Sequence, residues 1–108
     1  MKAPTKLPSE FESSWESVVN GLTFTAKRRG NIVQVVVGAG QVTNSISANT
    51  TITTLPSEFW PPVRIVTPET GVSNTKIGVT ISQTSGVIQT TQPVTSGSYL
   101  RFNTMYFV

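Results

Sequence analysis

The side chains that usually carry out catalysis are scarce in this chain. It has no His, no Cys and no Asp, and its five carboxylate side chains are all Glu. General acid–base catalysis near neutral pH would therefore depend on Glu, Lys or Tyr. Glu58 and Glu69 are the only plausible glycosidase-like pair within the predicted domain, and they fall in separate loops. We interpret both as solvated loop residues and predict that the protein is not an enzyme.

The same composition argues against metal ions, cofactors and nucleic acid as ligands. Transition metals favour His and Cys, and calcium favours a clustered acidic loop, which the sequence lacks. Gly38-Ala39-Gly40 resembles part of a phosphate-binding loop, but no helix follows it to hold the phosphate, so it predicts a turn. The basic run Lys27-Arg28-Arg29 is more typical of a solvated hairpin tip than of a nucleic-acid surface. We therefore expect no metal, no cofactor and no nucleic-acid partner.

Aromatic and basic side chains remain, and these suit binding rather than catalysis. Trp60 lies in the proline-rich run 56–62, where it would present a ring on a rigid loop to a sugar or a protein. The alternative interpretation is that Phe59 and Trp60 cap one end of the core. Tyr99 and Arg101 lie on the polar face of the last predicted strand, which is either a solvated face or a subunit contact. By elimination we predict a saccharide site built from loop or loop-proximal residues. Its members are Trp60, Asn74, Lys76, Tyr99 and Arg101.

The elements that position these residues are predicted to be strands. Thr, Ser, Val and Ile are abundant, and residues branched at Cβ fit a pleated sheet better than a helix. Apolar and polar residues alternate along 22–28 and an apolar run follows at 32–37, which predicts a hairpin about Arg29-Gly30-Asn31. Further strands are predicted at 41–48, 50–55, 63–67, 76–82, 87–91 and 99–108, and loops at 56–62, 68–74 and 93–97. The predicted fold class is all-β, an antiparallel β-sandwich or jelly-roll-like barrel of about eight strands.

The length of 108 residues predicts a single domain. Residues 21–108 are expected to form the β-sandwich, and residues 1–20 a tail or linker, either a remnant or the end of an upstream stalk. Within that tail, residues 13–20 predict a short strand or one helical turn. No apolar run approaches the roughly 20 residues of a membrane span, so we expect no membrane insertion. A small domain without disulfides gains stability by self-association, which favours an oligomer.

Three segments, taken in order, resemble a known protein family. The run 24–35 places an aromatic strand before a basic pair, a Gly-Asn turn and an apolar strand. The run 55–62 combines leucine-proline, two aromatics and a proline, and residues 99–108 close the chain with Tyr-Phe-Val. These segments resemble tail proteins of phages that infect Gram-positive bacteria. The resemblance covers roughly residues 22–108 and is strongest to the C-terminal head domain of receptor-binding proteins on lactococcal phage baseplates.

The resemblance implies a homotrimeric β-barrel or sandwich head at the phage tail tip, acting outside the host cell. Such a head adheres to host cell-wall saccharide and contacts other phage tail proteins. Lactococcal heads build the saccharide pocket from Trp, His, Asp and Arg, and this chain has neither His nor Asp, so only Trp and Arg have counterparts. Two alternatives stay open: a purely structural tail or baseplate module that contacts other virion proteins, and a carbohydrate-binding module of a secreted bacterial protein. The latter class usually shows several coplanar exposed aromatics, and only Trp60 and Tyr99 are candidates here.

Overall fold

A computed structural model describes residues 12–67, 70–72 and 75–108 of the chain. Strands make up nearly all of the regular structure in this part. They are β1 (Glu12–Val19), β2 (Leu22–Arg29), β3 (Ile32–Gln41), β4 (Thr53–Thr54), β5 (Ile65–Val66), β6 (Thr70–Val72), β7 (Thr75–Ile77), β8 (Val79–Ile81), β9 (Val87–Thr90) and β10 (Tyr99–Phe107). One short 3₁₀ helix spans Ser57–Phe59.

Two antiparallel sheets share one hydrophobic core. The first sheet has the strand order β1-β2-β3-β10, and the second has the order β4-β9-β8-β5. Strands β6 and β7 form a separate hairpin, and β6 lies close to β10. Leu22 and Phe24 from β2 are fully buried, as are Val79 and Ile81 from β8, and all four belong to the same cluster. The predicted all-β sandwich is confirmed, and the two sheets do not close into a barrel in the part that the structure describes.

Two-residue turns set the register of the first three strands. The turn between β1 and β2 contains only Asn20 and Gly21, which both take positive φ (51° and 78°), as a type I′ turn requires. The turn between β2 and β3 contains only Gly30 and Asn31, with Gly30 at φ 60°. Such turns match the twist of the flanking strands, so the strands pair without a bulge on either side of them. The hairpin predicted about the second turn is confirmed.

The first strand lies inside the segment that the sequence predicts to be a tail or linker, residues 1–20. All eight residues of β1 pair with β2, and Trp15 packs against the core. The sheet therefore already includes residues 12–19, whereas the sequence predicts that it starts near residue 21. The alternation of apolar and polar residues along β1 is weak, because Ser13 and Ser17 share the core-facing side of the strand with Trp15. Residues 1–11, the rest of the predicted tail, lie outside the described residues.

Three further boundaries differ from the predictions. Gly38-Ala39-Gly40 does not end the third strand, because β3 continues to Gln41 and pairs with β10 through a bulge. Glycine is suited to this position, since a Cβ added at Gly40 would lie 2.7 Å from the Gly21 carbonyl oxygen. Segment 41–48 forms an isolated bridge at Ile46 instead of a strand. Conversely, residues 70–72 of the predicted loop 68–74 form β6, whereas residues 68, 69, 73 and 74 lie outside the described residues.

The predicted loop 56–62 is ordered against the end of the core. Phe59 is fully buried, and its carbonyl accepts a hydrogen bond from the Tyr106 hydroxyl on β10. The Arg28 guanidinium Nη1 donates to the Glu58 carbonyl at 2.7 Å, which fastens the 3₁₀ helix to β2. The two sheets are thus tied together at the end where β2 turns into β3.

Candidate binding surfaces

Trp60, the first candidate for a sugar platform, is held by the fold along one edge of its ring. The indole Nε1–H donates to the Leu55 carbonyl at 2.8 Å, and the side chain is partly buried against the core. The ring also packs on Gly86, where an added Cβ would overlap Nε1 and Cδ1. Gly86 takes φ +69°, so the turn between β8 and β9 brings its backbone directly against the indole. Trp60 therefore braces this turn, and its ring is not a free platform.

The braced turn forms part of a depression on the solvent side of the second sheet. The depression has a volume of about 520 Å³ and is lined by Thr51, Arg64, Thr80, Val87, Gln89 and residues 82–85, a set that we call the turn pocket. Along β9, the half-buried Val87 and Gln89 alternate with the buried core residue Ile88, so their side chains lie on the opposite side of the sheet from the core. Thr80 of β8 also lines the pocket, but it is itself buried, with 5% of its surface exposed. Val87 is the one apolar side chain in the lining.

The chemistry of the turn pocket is that of hydroxyls, amides and one guanidinium. The Ser82 and Thr84 hydroxyls lie 3.2 Å apart and hold the shape of the turn, with the Thr84 N–H donating to the Ser82 oxygen. Arg64 is exposed, and no acceptor among the described residues bonds its guanidinium. The pocket thus offers many neutral donors and acceptors with one mobile cation. None of the lining residues that the structure describes is a carboxylate, a Lys or a Tyr.

A second exposed surface is the outer face of the first sheet. Every outward side chain of β10 is exposed, and they are Tyr99, Arg101, Asn103, Met105 and Phe107. Together with the outward residues of β3, β2 and β1 they form what we call the outer face. At the Tyr99 end it is polar, because Tyr99 pairs with Gln41. At the Phe107 end it is apolar and basic, because Phe107 pairs with Ile32 beside a depression of about 510 Å³ that Lys27 helps to line.

The structure does not bring the sequence-predicted site residues together. Tyr99 and Arg101 lie at one end of the outer face. Trp60 lies near the other end of β10, because the carbonyl of its neighbour Phe59 accepts a hydrogen bond from the Tyr106 hydroxyl. Tyr106 is seven residues along β10 from Tyr99, which corresponds to about 23 Å at the usual rise per residue.

The remaining two candidates are Asn74 and Lys76. Lys76 occupies β7, where its backbone pairs with Gly71 of β6, and β6 in turn lies close to β10. Asn74 lies outside the described residues. Of the predicted residues that the structure describes, Trp60 therefore lies in a different region of the surface from Tyr99 and Arg101.

The residues of the turn pocket were not predicted as a site. Thr80 and Ser82 alternate with Val79 and Ile81, so the pattern that identifies the core strand also places these two hydroxyls on its other face. Arg64 gives no such local signal. It joins the pocket because β5 pairs with β8, Ile65 opposite Ile81, and that pairing spans 16 residues of sequence.

No group of three or more His, Cys, Asp or Glu that could hold a metal ion occurs among the described residues. In the same part of the chain, no helix has the length and apolar character needed to cross a membrane. No protein-family model matches the chain, and no curated protein matches it either.

Proposed function

We propose that this protein is a non-catalytic adhesion module of a phage tail tip that binds host cell-surface saccharide, and that the turn pocket is its binding site. The observation that carries the proposal is the lining of the pocket, which is hydroxyl and amide almost throughout, with Arg64 at its margin. A saccharide presents many hydroxyls in a small area, and each must exchange a hydrogen bond with water for one with the protein. A rigid array of neutral donors and acceptors meets that requirement.

The size and support of the turn pocket agree with this proposal. Its volume of about 520 Å³ falls within the range of roughly 300–1,000 Å³ that is usual for small-ligand sites. The pocket is built on two paired strands and a turn that Trp60 braces from the core side, so little ordering is needed on binding. The Arg64 guanidinium adds a cation that would pair with an anionic substituent of a cell-wall polymer.

Two exposed arginines provide a matched test of this site. Arg64 lies at the turn pocket, and Arg101 lies on the outer face near Tyr99, which belongs to the site predicted from sequence. Arg64→Gln and Arg101→Gln remove the same charge and neither side chain is buried. We expect Arg64→Gln to weaken adhesion of the labelled chain to host cells by about 10- to 150-fold, as the loss of a charged hydrogen bond predicts, with Arg101→Gln close to wild type.

The outcome of that comparison assigns the site. If Arg101→Gln weakens adhesion and Arg64→Gln does not, the polar end of the outer face is the saccharide site and the turn pocket is not. If neither variant changes adhesion while both remain folded, neither arginine contributes to binding, and the turn-pocket proposal is wrong.

A structural role in the tail is a second candidate function, and the apolar end of the outer face favours it. Met105 is 61% exposed, Phe107 is 72% exposed and Ile32 is 41% exposed, which is unusual for three neighbouring apolar side chains on one sheet. We propose that copies of this chain cover this area in a homotrimer, with other phage tail proteins as further partners. Phe107→Glu tests the trimer, since it places a carboxylate in the contact. A mass by light scattering that is a multiple of three chains and that falls threefold in this variant supports the assembly, and a wild-type mass that is not a multiple of three chains contradicts it.

A further inference from the structure

Strand β1 forms an unpaired edge of the first sheet. It is the terminal strand in the order β1-β2-β3-β10, and no strand among the described residues pairs with its other side. The type I′ turn at Asn20 and Gly21 makes Val19 and Leu22 the hydrogen-bonded pair that closes the hairpin. Because hydrogen-bonding direction alternates along a strand, the peptide groups of the even-numbered residues of β1, 12 to 18, point away from β2. Four backbone N–H groups and four C=O groups along this edge therefore have no strand partner among the described residues.

Apart from its two glutamates, this edge lacks the features that usually prevent a strand from pairing. Eight residues pair with β2 in continuous register without a bulge, and the strand contains no Pro, Lys or Arg. Val18 at its C-terminal end is 66% exposed. Natural proteins usually blunt an edge of this length with prolines, bulges or inward lysines. Such an edge is suited to accept one more antiparallel strand.

We propose that the occupant is β1 of a second copy of this chain, paired antiparallel about a two-fold axis with Trp15 opposite the partner's Trp15. In this register Ser14 lies opposite the partner's Glu16, and the serine hydroxyl can donate to that carboxylate. Residues on the same face meet, and the outward-pointing backbone groups of one strand face those of the other, so the four-stranded sheets join into one continuous sheet.

Repulsion between glutamates disfavours the two registers that are shifted by two residues from this one. A shift of two residues in one direction sets Glu16 directly opposite the partner's Glu16. A shift of two in the other direction sets Glu12 opposite the partner's Glu16. Like charges directly across a strand pair are destabilising, and only the Trp15-centred register among these three avoids them. It also places the two Trp15 rings side by side at a non-hydrogen-bonded position, where Cα atoms approach to about 4.5 Å and aromatic pairs contribute most.

Charged substitutions at Ser14 test the proposal because each one changes the stability of the single chain and the affinity of the dimer in opposite directions. Within one chain Ser14 lies opposite Lys27 of β2. Ser14→Glu would gain an ion pair with Lys27 inside the chain but would oppose the partner's Glu16. Ser14→Lys would do the reverse. Each dimer contains two such contacts, so we expect Ser14→Lys to tighten the dimer dissociation constant by about 2- to 30-fold and Ser14→Glu to weaken it similarly.

Two further variants keep the test independent of charge. Ser14→Pro removes a backbone N–H that points away from β2, so the chain should stay folded and become unable to pair. The wild-type chain has no Cys. Therefore the double variant Ser14→Cys with Glu16→Cys should form a disulfide-linked dimer on mild oxidation. Each single variant should not, because position 14 lies opposite position 16 of the partner and neither position lies opposite its own copy.

The measurement is sedimentation equilibrium of the full 108-residue chain and its variants. The proposal requires an even number of copies, two alone or six if the proposed trimer also forms, and opposite shifts for the two charged variants. A wild-type chain that is monomeric or trimeric at tens of micromolar would overturn it. So would equal shifts for Ser14→Lys and Ser14→Glu, an assembly that Ser14→Pro leaves unchanged, or cross-linking of the single cysteine variants as efficient as that of the double variant.

Discussion

The contact between Trp60 and Gly86 should make Gly86 one of the least tolerant positions in the protein. Gly86 is buried, takes φ +69°, and has the indole of Trp60 against the position that a Cβ would occupy. The same added Cβ would lie 2.7 Å from the Leu55 carbonyl oxygen, the acceptor of the Trp60 hydrogen bond. Gly86→Ala must therefore displace the ring, the turn or both.

The expected cost follows from three contributions. A side chain at left-handed φ costs about 1–2 kcal/mol. Displacing the indole breaks its hydrogen bond to Leu55, a net loss of about 0.5–1.5 kcal/mol. Lost packing of the ring on the core adds to both. We expect Gly86→Ala to lower the free energy of unfolding by about 2–4 kcal/mol, which lowers the melting temperature of a domain of this size by about 10–25 °C.

Two other glycines separate the contributions in a thermal melt followed by circular dichroism. Gly97 also has positive φ (85°), but nothing lies within 4 Å of an added Cβ, so Gly97→Ala should show the backbone cost alone. Gly38 has neither constraint, and Gly38→Ala should leave the melting temperature unchanged or slightly raised. If Gly86→Ala melts within a few degrees of Gly97→Ala, the indole does not press on this turn and the reasoning is refuted.

Two further predictions concern the buried polar groups. Thr90 Oγ1 is buried without a hydrogen-bond partner among the described residues, so Thr90→Val should raise the melting temperature by several degrees. Thr67→Val should lower the melting temperature, because the Thr67 hydroxyl accepts a hydrogen bond from the Val79 N–H at 2.8 Å and donates one to the Val79 carbonyl at 3.1 Å. Burial raises the pKa of Tyr106 to about 12, so the folded chain favours the neutral phenol. The contribution of this phenol to the free energy of unfolding is therefore complete below pH 10 and is lost between pH 10 and 12. Melts across that range should fall more steeply for wild type than for Tyr106→Phe, which should itself lose about 1–2 kcal/mol with its bond to the Phe59 carbonyl. A lower melting temperature for Thr90→Val, a higher one for Thr67→Val, or parallel pH curves for wild type and Tyr106→Phe would contradict these assignments.

The long strands were predictable because each exposes one face and buries the other. Leu100, Phe102 and Tyr106 of β10 are all buried at alternate positions, as the period of two predicts. In β1 the same period is weak, since two of its four core-facing residues are serines. The signal that identifies β1 is the Asn20-Gly21 turn, the most specific two-residue hairpin sequence, followed by a well-marked strand.

The short strands and the turn pocket were less accessible to sequence reasoning. Strands β4 and β5 have two residues each, too few for any period to appear. The turn pocket depends on the long-range pairing of β5 with β8, and hydroxyl side chains are so common in this chain that no local cluster of them is distinctive. The role of Trp60 was predicted as either a binding platform or a cap of the core. The structure shows it packed on the core beside the turn pocket, through contacts with Gly86 and the Leu55 carbonyl that no sequence pattern reveals.

The segment Leu55–Phe59 contributes two buried side chains to the core within five residues. Leu55 and Phe59 are both buried, because the 3₁₀ helix between them directs both side chains into the core. The same five residues, Leu-Pro-Ser-Glu-Phe, also occupy positions 7–11, which lie outside the described residues. Leu55→Ala and Phe59→Ala each remove a fully buried side chain and should destabilise the fold by about 2–5 kcal/mol, measured by urea unfolding. A loss below 1 kcal/mol for either variant would contradict its place in the core.

The central claim, that the turn pocket binds saccharide, is tested most directly by mapping the contact on the protein itself. Amide chemical shifts of the ¹⁵N-labelled chain can be followed while cell-wall saccharides from Gram-positive bacteria are added. We predict that the saturable shifts cluster at Arg64, Thr80, Gln89 and residues 82–85, with Tyr99 and Arg101 unchanged. Saturable shifts centred on Tyr99 and Arg101, or the absence of saturable shifts with every saccharide that supports phage adhesion, would contradict the account.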